Sequence, residues 1–203
     1  MTKLRGLYAV TPDLGDSEEL LRRVSHALKG GIALLQYRNK RSTQPRHEAK
    51  ALQRMCAAAG VPLIVNDSIE LALEIDADGA HLGREDGDLT QARARLRGKI
   101  LGASCYDSLA AARAAVAAGA DYVAFGSVFP SPTKPGAVRA PLSLFENDLG
   151  VPLCAIGGIT LENAPSLIAA GADCVAVISD LFDAPDIAAR ATAYEKLFAR
   201  EVA

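Results

Sequence analysis

A chain of 203 residues is long enough to bury a substantial core without disulfides or structural metal, and fits one domain. Half of its residues are apolar and 23% are charged, which marks a globular chain and not a disordered one. A formal net charge of −2, 5% aromatic content and no Trp argue against both a basic duplex-binding face and a stacking platform for single-stranded nucleic acid.

No apolar run approaches the roughly 18 residues that a membrane span needs. The first residues, Met1 to Arg5, run into a strand-like segment with no signal-peptide core. A cytoplasmic protein without membrane attachment is therefore expected. The four cysteines, Cys56, Cys105, Cys154 and Cys174, show no zinc-type spacing and read as buried thiols, most clearly Cys56, Cys154 and Cys174. The three histidines, His26, His47 and His81, form no cluster in the sequence.

In chain order, Leu7-Tyr8-Ala9-Val10 reads as a strand, with Pro12 and Gly15 marking the turn after it. Asp16 or Ser17 can cap the next helix, whose first turn carries Glu18 and Glu19. Its apolar face is Leu20, Leu21, Val24, Ala27 and Leu28, and Gly30-Gly31 stops it. A strand over Ile32 to Tyr37 and a helix over 44–59 follow, the helix ended by Gly60. Further strands are expected at 61–66, 78–82, 99–104, 121–126, 152–156 and 173–178. Further helices are expected near 68–75, 88–96, 107–118, 142–148, 162–170 and 183–199. Strands such as Val61-Pro62-Leu63-Ile64-Val65 are almost wholly apolar, as parallel strands buried on both faces must be.

An internal repeat runs through this pattern. Ala117-Ala118-Gly119-Ala120-Asp121-Tyr122-Val123-Ala124 resembles Ala169-Ala170-Gly171-Ala172-Asp173-Cys174-Val175-Ala176, and Asp76 to Ala80 is a weaker copy. Each copy lies where a helix hands over to an even-numbered strand. Eight strand–helix units with such repetition favour one α/β domain over 1–203, a (β/α)8 TIM barrel, with an open doubly wound sheet as the alternative.

In a barrel of this kind the site lies at the C-terminal ends of the strands. Strand 2 ends in Gln36-Tyr37-Arg38-Asn39-Lys40, where Gln36, Arg38 and Lys40 alternate and so share a side in extended chain. Two cations and an amide suit an oligoanion, although such a run is also an ordinary solvated loop entry. Strand 3 ends in Asn66-Asp67 and strand 4 in His81-Leu82-Gly83-Arg84-Glu85-Asp86. Asp67 and Asp86 can converge from adjacent strand ends, as a hard cation shared with phosphates requires; singly they read as a helix cap and a turn residue. Strand 5 ends in Gly102-Ala103-Ser104, and strand 6 feeds an irregular loop containing Ser131, Thr133 and Lys134 between prolines. Strands 7 and 8 end in Gly157-Gly158-Ile159 and Ile178-Ser179, the usual phosphate position of such barrels. No nucleophile with a paired base is evident.

These pieces together resemble the thiamine phosphate synthase family. The likeness is carried by Tyr8-Ala9-Val10-Thr11, Gln36-x-Arg38-x-Lys40, Asn66-Asp67, Gly83-x-x-Asp86, Gly102-x-Ser104, Ser131-x-Thr133-Lys134, Ile156-Gly157-Gly158-Ile159 and Ile178-Ser179, in order through almost the whole chain. The resemblance implies condensation of 4-amino-2-methyl-5-hydroxymethylpyrimidine diphosphate with a thiazole phosphate, giving thiamine monophosphate and diphosphate. It implies that Gln36, Arg38, Lys40, Asn66, Ser104 and Lys134 hold the pyrimidine diphosphate, with Arg38, Lys40, Ser104 and Lys134 acting in catalysis. It implies Mg²⁺ on Asp67 and Asp86, and the thiazole phosphate on Ser131, Thr133, Gly158, Ile178 and Ser179. The implied partners are these small molecules, and a homo-oligomer is left open.

The chain departs from the family pattern in places. Tyr106 stands where the family often has His, and Ser131 where Thr is usual, with Pro132 placed to stiffen the loop. Few residues precede the first strand, so no arm is expected over the barrel floor. A related thiazole tautomerase shares the barrel but carries a His in the strand 6 loop, where Ser127 follows Gly126 here, and lacks the full diphosphate and Mg²⁺ set. A phosphate-binding or regulatory barrel without turnover would rest on Tyr106 and the short N-terminus. A sugar-phosphate epimerase-like barrel would have no need of the Gln-x-Arg-x-Lys set.

Overall fold

The computed structural model describes residues 4–130 and 138–199. In chain order its elements are β1 Gly6–Val10, α1 Ser17–Gly30, β2 Leu34–Tyr37, α2 Pro45–Ala59, β3 Leu63–Asn66, α3 Ile69–Glu74, β4 Gly79–Leu82 and α4 Leu89–Arg95. They continue with β5 Ile100–Tyr106, α5 Leu109–Ala117, β6 Tyr122–Phe125, a 3-10 turn Leu142–Glu146, β7 Leu153–Ile156, α6 Ala164–Ala169, β8 Cys174–Val177, α7 Ser179–Phe182 and α8 Ile187–Ala199. All eight strands are parallel and pair in sequence order, and β8 pairs back onto β1 through Gly6–Ala9 against Cys174–Val177. That last pairing closes the barrel and removes the open-sheet alternative. Among the described residues, no helix is long and apolar enough to cross a membrane.

Local chemistry sets the element ends. Asp16, and not Ser17, caps α1, its carboxylate accepting from the N–H groups of Glu18 and Glu19 at 2.9 and 3.1 Å. Gly31 ends the helix at φ +90°, a backbone conformation open to glycine. Two expected helices differ. The segment after β6 forms only a five-residue 3-10 turn, because Asn147 turns its side chain back onto the carbonyls of Ser143 and Leu144. The expected final helix, 183–199, starts only at Ile187, and a separate short helix, α7, precedes it over Ser179–Phe182. Pro185 falls between them, and Asp186 starts the second by accepting from Ala189 N at 2.9 Å.

Strand alternation sorts the core into two shells. Leu7, Ala9, Leu35, Leu63, Val65, Leu101, Val123, Ala155 and Val175 pack outward into the shell that includes the helices. Tyr8, Val10, Leu34, Ile64, Tyr122, Ala124, Cys154, Cys174 and Ala176 fill the barrel interior. All four cysteines are buried free thiols, as the sequence suggests.

The internal repeat has a physical cause at the barrel floor. Asp78 accepts from Leu63 N at 2.8 Å, Asp121 from Leu101 N at 2.8 Å and Asp173 from Leu153 N at 3.0 Å. Each Asp precedes an even strand and holds an N–H near the start of the odd strand before it. Glu195 of α8 does the same for Leu7 N of β1 at 3.2 Å. Four carboxylates thus satisfy backbone donors that the ladder leaves over. Asp173 is the most buried of the three aspartates. Replacing it with Ala should cost about 1–3 kcal/mol of unfolding free energy, the penalty for an unsatisfied buried donor. Asp173→Asn, which keeps an acceptor, should cost less. Urea unfolding of the two variants checks this; equal losses would show that hydrogen bonding to Leu153 is not the cause.

Candidate active site

The strand 2 run is built by its neighbours. The strand ends at Tyr37, so Arg38 and Lys40 lie beyond it, and only Gln36 belongs to the inward-facing series. Thr11, fully buried after β1, donates from Oγ1 to Arg38 O at 2.8 Å and accepts from Arg38 N at 2.8 Å. Asp13 accepts from Lys40 N at 2.7 Å and from Arg38 Nη1 at 2.9 Å. From the other side, the buried carboxylate of Glu48 on α2 accepts from Ser17 Oγ at 2.6 Å, Tyr37 OH at 2.7 Å and Asn39 Nδ2 at 3.0 Å. Two loops and a helix therefore fix the backbone that presents both cations.

Asp67 and Asp86 converge as their adjacent strand ends require. Asp67 does not cap α3; Ser68 does, accepting from Leu71 N at 3.1 Å. Asp67 instead sits at φ +63°, with its N–H donating to His81 O at 2.9 Å. Partial burial raises the Asp67 carboxyl above the usual range, the facing Asp86 carboxyl raises it further, and Lys40 and Arg38 pull it down. Asp86 accepts from Gly83 N at 2.7 Å. A pair of carboxylates at the edge of a cationic run is the donor set a hard divalent ion takes when phosphates complete its shell. Among the described residues, no group of three or more His, Cys, Asp or Glu side chains forms a closed metal cage.

Below these groups a polar chain crosses the barrel interior. Gln36 Nε2 donates to Tyr8 OH at 2.7 Å, Tyr8 OH meets Tyr122 OH at 2.7 Å, and Tyr122 OH meets His81 Nδ1 at 2.9 Å. His81 Nε2 then meets Ser104 Oγ at 2.8 Å. Asn66, His81, Gly102 and Tyr122 are register partners on neighbouring strands. A side chain at Gly102 would overlap the Tyr122 ring, so the glycine lets that ring lie beside His81, with centroids 5.5 Å apart. Burial pushes the Tyr8 and Tyr122 phenols well above the usual range and the His81 imidazole down to about 4. The sequence names Tyr8, His81 and Tyr122 within its motifs but assigns none of them a part in the site. The signal that could have drawn them together is a polar side chain at an inward position of an otherwise apolar strand.

On the opposite side of the mouth, Gly157-Gly158 and Ile178-Ser179 follow strands paired through Ile156 and Ala176. Gly158 sits at φ +65°, its O accepting from Asn163 Nδ2 at 3.0 Å. A Cβ there would strike the carbonyls of Phe129 and Pro130, so the strand 6 loop itself requires the glycine. Ile178 is half-buried and Ser179 exposed at the start of α7. Ser131, Thr133 and Lys134 lie outside the described residues. At the Tyr106 departure, the ring sits at φ +54° with the Arg84 guanidinium 4.9 Å above it, beside the Asp86 turn.

The depressed His81 pKa has a consequence for stability. The unfolded chain binds a proton at this residue near the ordinary value of 6.5, whereas the folded chain does so only near 4. The stabilisation is full above 6.5 and falls by about 1.4 kcal/mol per pH unit between the two values. Thermal unfolding from pH 7 to pH 4 should show this slope in the parent, and His81→Gln should flatten it. An unchanged slope in the variant would rule out His81 as its source.

A sequence model of the thiamine monophosphate synthase family matches residues 7–181. The thiamine-phosphate synthase of Aromatoleum aromaticum is 59% identical, over an alignment that covers 97% of this chain and 98% of that one. That of an Azoarcus species is 56% identical, with the same coverage of 97% and 98%. The solved thiamine phosphate pyrophosphorylase of Pyrococcus furiosus superposes with a TM-score of 0.86 at 30% identity, over 99% of this chain and 98% of that one. None of these matches supports the tautomerase, the silent binder or the epimerase-like barrel. With a family model over most of its length and relatives at more than half identity that it covers almost end to end, the chain belongs to the thiamine monophosphate synthase family.

Proposed function

We propose that the chain joins an aminopyrimidine methyl diphosphate to a thiazole phosphate at this barrel mouth, releasing diphosphate. The observation that carries this reading is the meeting of Asp67 and Asp86 with Lys40 and Arg38 at the ends of adjacent strands. The carbon–oxygen bond to diphosphate breaks with its electron pair leaving on oxygen. The electron-rich aminopyrimidine stabilises the cation left on carbon, and the thiazole nitrogen closes the new bond with its lone pair. No protein nucleophile is needed.

The work of the chain is electrostatic and positional. Arg38 and Lys40, with Asn66, Ser104 and Lys134, receive the diphosphate, and Gln36 orients the pyrimidine end. Asp67 and Asp86 hold Mg²⁺, which when bound supplies positive charge to the leaving group. Ser131, Thr133, Gly158, Ile178 and Ser179 hold the thiazole phosphate, so that its nitrogen faces the carbon that diphosphate leaves.

Incubation with both substrates and Mg²⁺ should yield thiamine monophosphate by mass spectrometry, and Asp67→Ala or Asp86→Ala should nearly abolish it in folded protein. Diphosphate binding measured by calorimetry should depend on Mg²⁺ in the parent; equal affinity with and without EDTA would remove the metal assignment. The two substrate sites should also separate. Because Gly158 cannot carry a side chain, Ser179→Ala is the cleaner probe. It should weaken thiazole phosphate binding about tenfold, the worth of one charge-assisted hydrogen bond, and spare the pyrimidine diphosphate. Arg38→Ala should do the reverse. Loss of both ligands to the same degree in either variant would overturn this division of the mouth.

A further inference from the structure

The buried chain of Gln36, Tyr8, Tyr122, His81 and Ser104 contains four hydrogen bonds in series, none longer than 2.9 Å. Each link needs one proton, and the supply is countable. Tyr8 and Tyr122 each bring one O–H, a neutral imidazole brings one N–H, and Ser104 brings one O–H. The first link is filled from the Gln36 amide, which donates to Tyr8. Among the described residues Tyr122 is the one acceptor that the buried Tyr8 hydroxyl meets, so Tyr8 spends its proton there and not unpaired, and Tyr122 by the same reasoning donates to His81 Nδ1. The imidazole proton therefore sits on Nε2 and fills the last link, to Ser104 Oγ. The hydroxyl proton of Ser104 is left over.

We infer that this chain is directional, and that His81 is a positioning residue which turns the Ser104 hydroxyl into a hydrogen-bond donor toward the ligand in the barrel mouth. The reverse arrangement needs Gln36 to accept. Ser104 would then spend its proton on His81 and present only lone pairs to a diphosphate oxygen, which would repel it. Three features hold the direction. Gln36 and His81 are only 5% and 7% exposed, so water has little access to reset the chain at either. Tyr8 and Tyr122 are each 2% exposed. Gly102 leaves the space that brings Tyr122 against the imidazole. The positioning role rests on Ser104 meeting the pyrimidine diphosphate, as proposed above; the direction of the chain does not.

The direction is tested on the full-length protein without ligand. In the His26→Gln/His47→Gln variant, His81 is the one imidazole left. Nitrogen-15 spectra of its ring at neutral pH should show a protonated Nε2 and a bare Nδ1. A protonated Nδ1 overturns the direction. Tyr122→Phe should let the ring sample both tautomers; if that variant does not fold, Tyr8→Phe breaks the same series one link earlier. An unchanged single tautomer in the folded variant also overturns it.

The positioning role is tested with inorganic diphosphate and Mg²⁺ by calorimetry. Ser104→Ala and Tyr122→Phe should each weaken binding about tenfold, and the double variant should be no weaker than Ser104→Ala alone. Losses that multiply, or Tyr122→Phe binding as the parent does, overturn the positioning role. If Ser104→Ala binds as the parent does, the ligand contact given to Ser104 is wrong and the positioning role falls with it, while the tautomer result stands separately.

Discussion

Every second residue of the eight strands points into a closed interior, and what stands there must fill the space and satisfy its own polar atoms. Most of these positions are apolar, from Val10 and Leu34 to Ala176. Where they are polar they bond to one another: Gln36 to Tyr8, Tyr122 to His81, His81 to Ser104. Among the described residues, no buried side-chain nitrogen or oxygen lacks a partner. The constraint also explains Gly102, whose missing side chain is the volume that the Tyr122 ring occupies. Packing and polar satisfaction are solved by the same residues, immediately beneath the site.

The two ends of the barrel divide the remaining carboxylates by task. At the floor, Asp78, Asp121, Asp173 and Glu195 accept from strand N–H groups, so their negative charge is used on the backbone. At the mouth, Asp67 and Asp86 face each other, with Lys40 and Arg38 the nearby counter-charges. The first arrangement lowers the energy of the fold. The second leaves like charges together, which a purely structural design would avoid and a cation-binding one needs. Thr11, Asp13 and Glu48 stand between these tasks, since they hold the backbone that carries the mouth's cations without needing to touch a ligand.

The sequence by itself determined the strand–helix alternation, the placement of Asp67 and Asp86 on neighbouring strand ends, and the burial of the cysteines. Each of these follows from short-range periodicity, from turn residues, or from counting strands in a repeating pattern. It also displayed the repeat around Asp121 and Asp173, though not its cause, since the acceptor is legible while the N–H it serves lies about 20 residues away in Leu101 or Leu153. Closure of the barrel, the Asp13 hold on Arg38 and the path from Gln36 to Ser104 were decided by the tertiary structure alone. The reason is common to all three. They join residues far apart in the chain, such as Tyr8 and Tyr122 at a separation of 114 residues, and local periodicity reveals which way a side chain points but not what it meets.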